Sequence, residues 1–225
     1  MNNTDLEDIE MNIVEAMNIR KSFNKKIVLD NISFQLSSGK IYGLIGDNGS
    51  GKSVLLKCLC GILPCDSGKI LISGKEIITG INEPPILGIV IEHPGFLGSL
   101  SGWSNLKYLA GIRGKISDDK IREALELVGL QNHSEKKVKK YSLGMRQKLA
   151  IAQAVMENPS VYFMDEPFNG LDSKSVIAIQ TLFRSLRNEG KTFLLVSHHA
   201  SDIDNLCDEI FEIRSGQLRQ VTKEI

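Results

Sequence analysis

Gly46-Asp47-Asn48-Gly49-Ser50-Gly51-Lys52-Ser53 fits the pattern G-x-x-x-x-G-K-[ST] without a mismatch. The apolar run Ile41-Tyr42-Gly43-Leu44-Ile45 enters this stretch, and Val54-Leu55-Leu56-Lys57-Cys58-Leu59 leaves it. A strand, a glycine-rich loop and a helix are therefore predicted in that order. Glycines remove the Cβ atoms that would hold backbone N–H groups away from an anion. Those groups, with the positive end of the following helix, can surround a phosphate. Lys52 adds a mobile cation for the β- and γ-phosphates, and the Ser53 hydroxyl is a natural Mg²⁺ ligand. A chance Lys-Ser in a glycine-rich turn would not need these flanks. Gly46 through Val54 are read as the cradle of a nucleoside triphosphate.

The rest of the composition narrows the setting. A chain of 225 residues suits one large domain, or one domain with a subdomain, and can bury a core without staples. Lys+Arg and Asp+Glu are equal at 27 each, so net charge favours no nucleic acid. No apolar run reaches bilayer length, and the polar, acidic start (Asp5, Glu7, Asp8, Glu10) is unlike a secretory leader. A cytoplasmic protein is expected, unless a partner holds it at a membrane. Cys58, Cys60, Cys65 and Cys207 lack paired metal-ligand spacing, so reduced core thiols are expected, with no structural metal and no disulfide.

Residues 1–10 read as a frayed tail and 11–225 as a single domain. From Ile13 to Leu36 apolar and polar residues alternate around turn signals at Phe23–Lys26 and Asp30-Asn31, which predicts a β-hairpin or meander. Lys69–Ile72 is a short strand with Glu76–Ile78 as its hairpin mate, and Leu87–Ile91 is another strand. Between about 94 and 157 periods of three and four replace alternation. One helix starts after Ser117 with the apolar face Ile121, Ala124, Leu125 and Val128, and stops at Gly129. A second begins near Ser142 and carries Leu149, Ala152 and Val155. Val161–Met164 and Thr192–Val196 then return to short apolar strands flanking a helix over Ser173–Asn188. The fold class is α/β: a parallel phosphate-loop core, an N-terminal antiparallel β subdomain and an inserted helical subdomain.

Val161-Tyr162-Phe163-Met164-Asp165-Glu166 ends an apolar strand on two carboxylates. Beside a phosphate loop, a carboxylate ending a strand next to the loop strand holds Mg²⁺, often through water. Asp165 takes that role, and Glu166 is placed as general base for the attacking water. A bare strand end that caps the next helix is the alternative for this pair.

The order Gly46–Ser53, Tyr141-Ser142-Leu143-Gly144-Met145-Arg146-Gln147, Met164-Asp165-Glu166-Pro167, Asn169-Gly170-Leu171-Asp172 and Ser197-His198 resembles an ABC-type ATPase subunit over essentially residues 12–220. Ser142 and Gly144 match the family signature Leu-Ser-Gly-Gly-Gln in place. The variant run is similar to the bacitracin- and lantibiotic-exporter branch. The resemblance implies two such subunits packed head to tail, with ATP between one phosphate loop and the other subunit's Ser142, Gly144 and helix N-terminus. Ser142 is equally an ordinary helix cap, and both readings can hold. His198 matches the histidine that senses the γ-phosphate, Asp172 the loop joining the two sites, and His199 reads as a solvated neighbour. Phe23 stands where the family carries Tyr to stack on adenine; without the family it reads as hairpin core. Glu92, in Ile91-Glu92-His93-Pro94, stands where most of the family has Gln reaching toward Mg²⁺ and water. A carboxylate there is a harder metal ligand that repels phosphate when the metal is absent. A solvated strand-end Glu is the alternative.

By the same resemblance, Pro94 to Trp103 meets the coupling helix of an integral-membrane permease, with Phe96, Leu97 and Trp103 either exposed for that contact or packed into the insert. Lys136, Lys137, Lys139 and Lys140 read as a solvated basic stretch. The implied function is the ATP-hydrolysing subunit of an exporter at the inner face of the cell membrane. Its cargo is expected to be an antimicrobial peptide or similar amphipathic compound. The alternative is a soluble ABC-type ATPase, which usually carries paired cassettes, a coiled-coil insert or a metal motif. A GTPase would need an N/T-K-x-D element, and none is present.

Overall fold

The computed structural model describes residues 12–80, 85–92, 95–114, 116–198 and 200–221. The expected tail over 1–10, the hinge residues His93 and Pro94 at which the helical insert was placed, and His199 lie outside the described residues.

Alternating burial builds the first sheet. β1 (Asn12–Phe23) and β2 (Lys26–Ser37) form an antiparallel pair around a two-residue turn at Asn24-Lys25, both with positive φ. β4 (Ser67–Ile72) pairs with β1 and with the two-residue β5 (Lys75–Glu76), giving the order β2-β1-β4-β5. The turn expected at Asp30-Asn31 is absent. β2 runs through it as an irregularity with Asn31 at φ 53°, and the Asp30 N–H donates to the Gly216 carbonyl at 2.8 Å. A polar pair that favours a left-handed residue reads the same in a bulge as in a turn.

The second sheet is parallel except at one edge. β3 (Ile41–Ile45) lies between β8 (Thr192–Val196) and β9 (Glu209–Arg214). β7 (Val161–Asp165) and β6 (Leu87–Val90) continue the sheet past β8, and β10 (Gln217–Val221) closes the other edge antiparallel to β9. The order is β10-β9-β3-β8-β7-β6. β8 thus separates the loop strand from the Asp165 strand, which corrects the expectation that the two are neighbours. The β9–β10 hairpin carries no motif and is added by the structure.

Period-two alternation sends each central strand to two cores, which is why these strands read as unbroken apolar runs. Val161, Phe163, Leu194 and Val196 face the core shared with β1, β2, β4 and α1 (Lys52–Leu59). Tyr162, Met164, Phe193 and Leu195 face the helical side. There Tyr162 and Phe193 stack with centroids 4.4 Å apart.

The helical side holds α2 (Gly102–Arg113), α3 (Asp118–Leu127), α4 (Leu143–Val155), α5 (Ser173–Asn188) and α6 (Ala200–Leu206). Ser101, Ser117, Ser142 and Asp172 cap the first four, each accepting from an N–H three residues on. Such caps contribute about 1 kcal/mol each. The predicted face of α3 (Ile121, Ala124, Leu125) is buried, with Val128 just past its end, and Gly129 follows at φ 71°. α2 was not predicted as a separate helix, and its weakly periodic sequence explains why.

Candidate nucleotide-binding site

The phosphate loop, Glu92, Asp165-Glu166 and His198 each lie at or just past the carboxyl end of a parallel strand, where such sheets open for ligands. The loop after β3 needs glycine at Gly46, which has φ 149°. A Cβ there would stand 2.3 Å from the Ile213 carbonyl oxygen. α1 opens at Gly51 with no side-chain cap, so its first-turn N–H groups have no side-chain acceptor from the residue before them. Lys52 is buried, and its ammonium donates to the carbonyls of Gly46 and Asp47 at 2.6 and 3.0 Å. It is folded back along its own loop, the position from which it can swing to an anion. The Ser50 hydroxyl is buried without a hydrogen-bond partner. A buried polar atom left bare in such a cradle fits a bound anion.

The Ser53 hydroxyl donates to Asp165 Oδ2 at 2.8 Å, bridging the sheet although β8 lies between their strands. A hydroxyl and a carboxylate in contact are the hard oxygen donors that Mg²⁺ selects. Glu166 follows at φ 49°, its N–H donating to the Val196 carbonyl at 2.9 Å. A non-glycine residue held left-handed is a strain that surrounding structure must fix. Gln147, buried on α4, does so by donating to the carbonyls of Glu166 and Pro167 at 3.2 and 3.1 Å. His198, just past β8, meets Glu166 Oε1 through Nδ1 at 2.8 Å.

Lys52, Ser53, Gln147, Asp165 and Glu166 line a cavity of about 360 Å³, with Asn48, Gly49 and Glu92 also among its walls, whereas Ser50 and His198 stand outside those walls. Glu92 has φ 57°, and its carboxylate takes an ion pair from Lys57 on α1 at 2.5 Å. Phe23 is not among the walls. It ends β1 with 44% of its surface exposed and with the Lys21 ammonium 5.5 Å from its ring centre, so it is no hairpin core residue.

Ser142 and Gly144 are not brought to this cavity either. They line a neighbouring one with Gly170, Leu171 and Asp172. The Ser142 hydroxyl accepts from the Met145 N–H at 3.2 Å, and a Cβ on Gly144 would stand 2.6 Å from the Gly170 carbonyl. Asp172 caps α5, and hydrogen bonds from the Ser175 N–H and hydroxyl hold its carboxyl below the ordinary carboxylate value. Arg146, Gln147 and Asn169 line the phosphate cavity and were given no role from sequence, although all three lie inside the quoted motifs. Lys57 was missed outright, since an exposed-looking Lys on a helix carries no signal.

Residues 29–169 match the ABC transporter family. The chain belongs to that family. It is 39% identical over 213 residues to an uncharacterized ABC transporter ATP-binding protein, YybJ, of Bacillus subtilis, covering 95% of this chain and 98% of that one. It is 34% identical to the lantibiotic transport ATP-binding protein SrtF of Streptococcus pyogenes, over 92% of this chain and 89% of SrtF. It is 36% identical to the bacitracin transport ATP-binding protein BcrA of Enterococcus faecalis, over 92% of this chain and 68% of BcrA. Among solved structures, a nucleotide-free ATP-binding cassette from an ABC transporter superposes with a TM-score of 0.81 at 26% identity, covering 92% of this chain and 90% of that one. The ADP form of the cassette MJ1267 superposes with a TM-score of 0.78 at 26% identity, covering 93% and 90%. The chain is thus an ATP-hydrolysing cassette of the ABC transporter family with the α/β phosphate-loop fold. Among the described residues no helix is long and apolar enough to cross a membrane.

Proposed function

We propose that this cassette powers an exporter as a pair of identical chains, docked on a separate membrane-spanning permease at the cytoplasmic face. Its cargo is an antimicrobial peptide or a similar amphipathic compound. The observation that carries the reading is the similarity to SrtF and BcrA across nine-tenths of the chain, joined to the cavity that gathers Lys52, Ser53, Asp165 and Glu166.

In this reading the N–H groups from Gly46 to Val54 and Lys52 bind the β- and γ-phosphates, and Phe23 stacks on the base. Ser53 and Asp165 hold Mg²⁺, with Glu92 released from Lys57 as a third donor; when bound, the metal neutralises charge on the phosphates. Glu166 takes a proton from water as its oxygen bonds to the γ-phosphorus, and the bond to the β-phosphate oxygen breaks to release ADP. Gln147 and His198 keep the Glu166 backbone and carboxylate aimed. Ser142, Gly144 and the start of α4 complete the charge stabilisation from the other copy, so a lone chain turns over slowly.

The permease contact is drawn to the exposed apolar side chains Leu97, Tyr108 and Ile112, which are 51%, 65% and 71% exposed. Phe96 and Trp103 instead pack on the helical core. Purification of the tagged protein from membranes tests the reading. A stoichiometric multi-span protein is expected with it. Recovery from the soluble fraction alone, or with ribosomes or DNA-bound proteins, would favour a non-transport ATPase.

A further inference from the structure

Two side chains of α1 hold two carboxylates of the nucleotide cavity. Ser53 and Lys57 stand four residues apart and so share one face of the helix. The Ser53 hydroxyl donates to Asp165 Oδ2 at 2.8 Å, and one turn on the Lys57 ammonium donates to Glu92 Oε1 at 2.5 Å. Asp165 and Glu92 both line the cavity, whereas Lys57 is not among its walls. Lys57 therefore meets the site through Glu92.

The two contacts differ in charge. A hydroxyl leaves Asp165 its negative charge, while an ammonium balances that of Glu92. The balance matters because Glu166 adds a further carboxylate to the same walls, against the cations of Lys52 and Arg146. Nor does the Lys57–Glu92 pair serve the fold. Glu92 lies two residues past β6 with φ 57°, a strained conformation for a residue other than glycine. Its side chain is 62% exposed and that of Lys57 29%, and a pair so open to water adds little to stability. A strained carboxylate, tied by a weak pair at the wall of an anion site, points to a task in binding.

We propose that Lys57 is the built-in counter-ion of Glu92 and sets how well the cassette binds ATP without metal. In the function proposed above, on which this rests, Glu92 faces the γ-phosphate. With the ammonium in place, ATP enters against a balanced pair instead of a bare carboxylate. With Mg²⁺ bound, Glu92 has a second cation to balance it, and Lys57 becomes dispensable. Lys57 is thus a positioning residue that acts on the nucleotide only through Glu92.

Equilibrium binding of ATP and of ADP to the full chain, in EDTA and in saturating Mg²⁺, tests this. Lys57→Met keeps the stem and removes the charge. It is expected to weaken ATP binding in EDTA by about 5-fold, within the range for charges that share one network. ADP, without the γ-phosphate, should lose less, and ATP binding in Mg²⁺ should hold. Glu92→Gln added to Lys57→Met should restore the metal-free affinity, and Lys57→Arg should keep it throughout. An equal loss with and without Mg²⁺ would overturn the proposal. So would a loss that Glu92→Gln leaves in place, or a Lys57→Met chain that binds ATP in EDTA unweakened. Failure of the metal role reads differently: Glu92→Gln alone would leave the Mg²⁺ dependence of ATP binding unchanged, while the charge cycle in EDTA still held.

Discussion

The molecule presents two helix N-termini to anions, and they are built differently. α1 opens at a glycine with no side-chain cap, beside a buried hydroxyl without a partner, a folded-back lysine and two carboxylates. α4 opens at a serine that satisfies one of its own N–H groups, against the backbone of Gly170, in a cavity that lacks Asp165 and Glu166. One end gathers Lys52, Ser53, Asp165 and Glu166 around one cavity; the other sets a hydroxyl and a close-packed glycine in a second cavity, while Leu143, Arg146 and Gln147 of the same helix reach the first. In the proposed function this difference means that Ser142 and Gly144 meet a phosphate brought by another copy, since their cavity lacks Asp165 and Glu166.

The largest effect should come from the α1 end. Glu166→Gln is expected to lower turnover by about 10²–10⁴-fold, the range for a positioned general base, while ATP affinity holds. Steady-state hydrolysis beside equilibrium ATP binding reads this out, and undiminished turnover would mean that another group activates the water. Next comes the α4 end. Gly144→Ala puts a Cβ against the Gly170 carbonyl at 2.6 Å, and turnover should fall by about 10²-fold, the effect of losing a fixed donor at the transition state. ATP affinity of the isolated chain should not change. If it fell equally, α4 would be acting on its own chain's loop and the contrast between the two ends would collapse.

Phe23→Ala sharpens the α1 end further. Losing one aromatic platform weakens base binding by about 1–3 kcal/mol, roughly 5–150-fold in Kd. Phe23→Tyr should be neutral by the same titration, and an Ala variant with unchanged affinity would remove Phe23 from the site.

The smallest effect is on stability. Hydrogen bonds from Ser22 and Lys21 hold the Asp66 carboxyl at about 2, below its ordinary 3.8. The folded state therefore favours the charged form. Its contribution is complete above 3.8 and is lost as pH falls through 3.8 toward 2. Asp66→Asn should lower the unfolding midpoint at neutral pH, and the gap to the unmodified chain should close in acid. A gap constant with pH would place the effect in packing instead.

What the sequence made legible follows from how local each signal is. The phosphate loop, the Asp165-Glu166 pair and Ser142 announce themselves because their chemistry needs adjacent residues in fixed order. The helix over Ser173–Asn188 matches its predicted span because its apolar period is strong and its cap is Asp172. Strand order was not legible, since neither β7 nor β8 encodes which lies next to β3, and only tertiary pairing puts β8 between. Asn31 was misread because left-handed asparagine serves a bulge as well as a turn. Gln147 and Lys57 act through a backbone carbonyl and a distant carboxylate, contacts that no spacing announces.

The contrast between the two ends is tested most directly by the mass of Glu166→Gln in solution, measured by light scattering with and without Mg-ATP. A chain that is monomeric alone and doubles its mass with ATP bound is the expected result, each α4 end closing on the other copy's nucleotide. A chain that binds ATP and stays monomeric would contradict it.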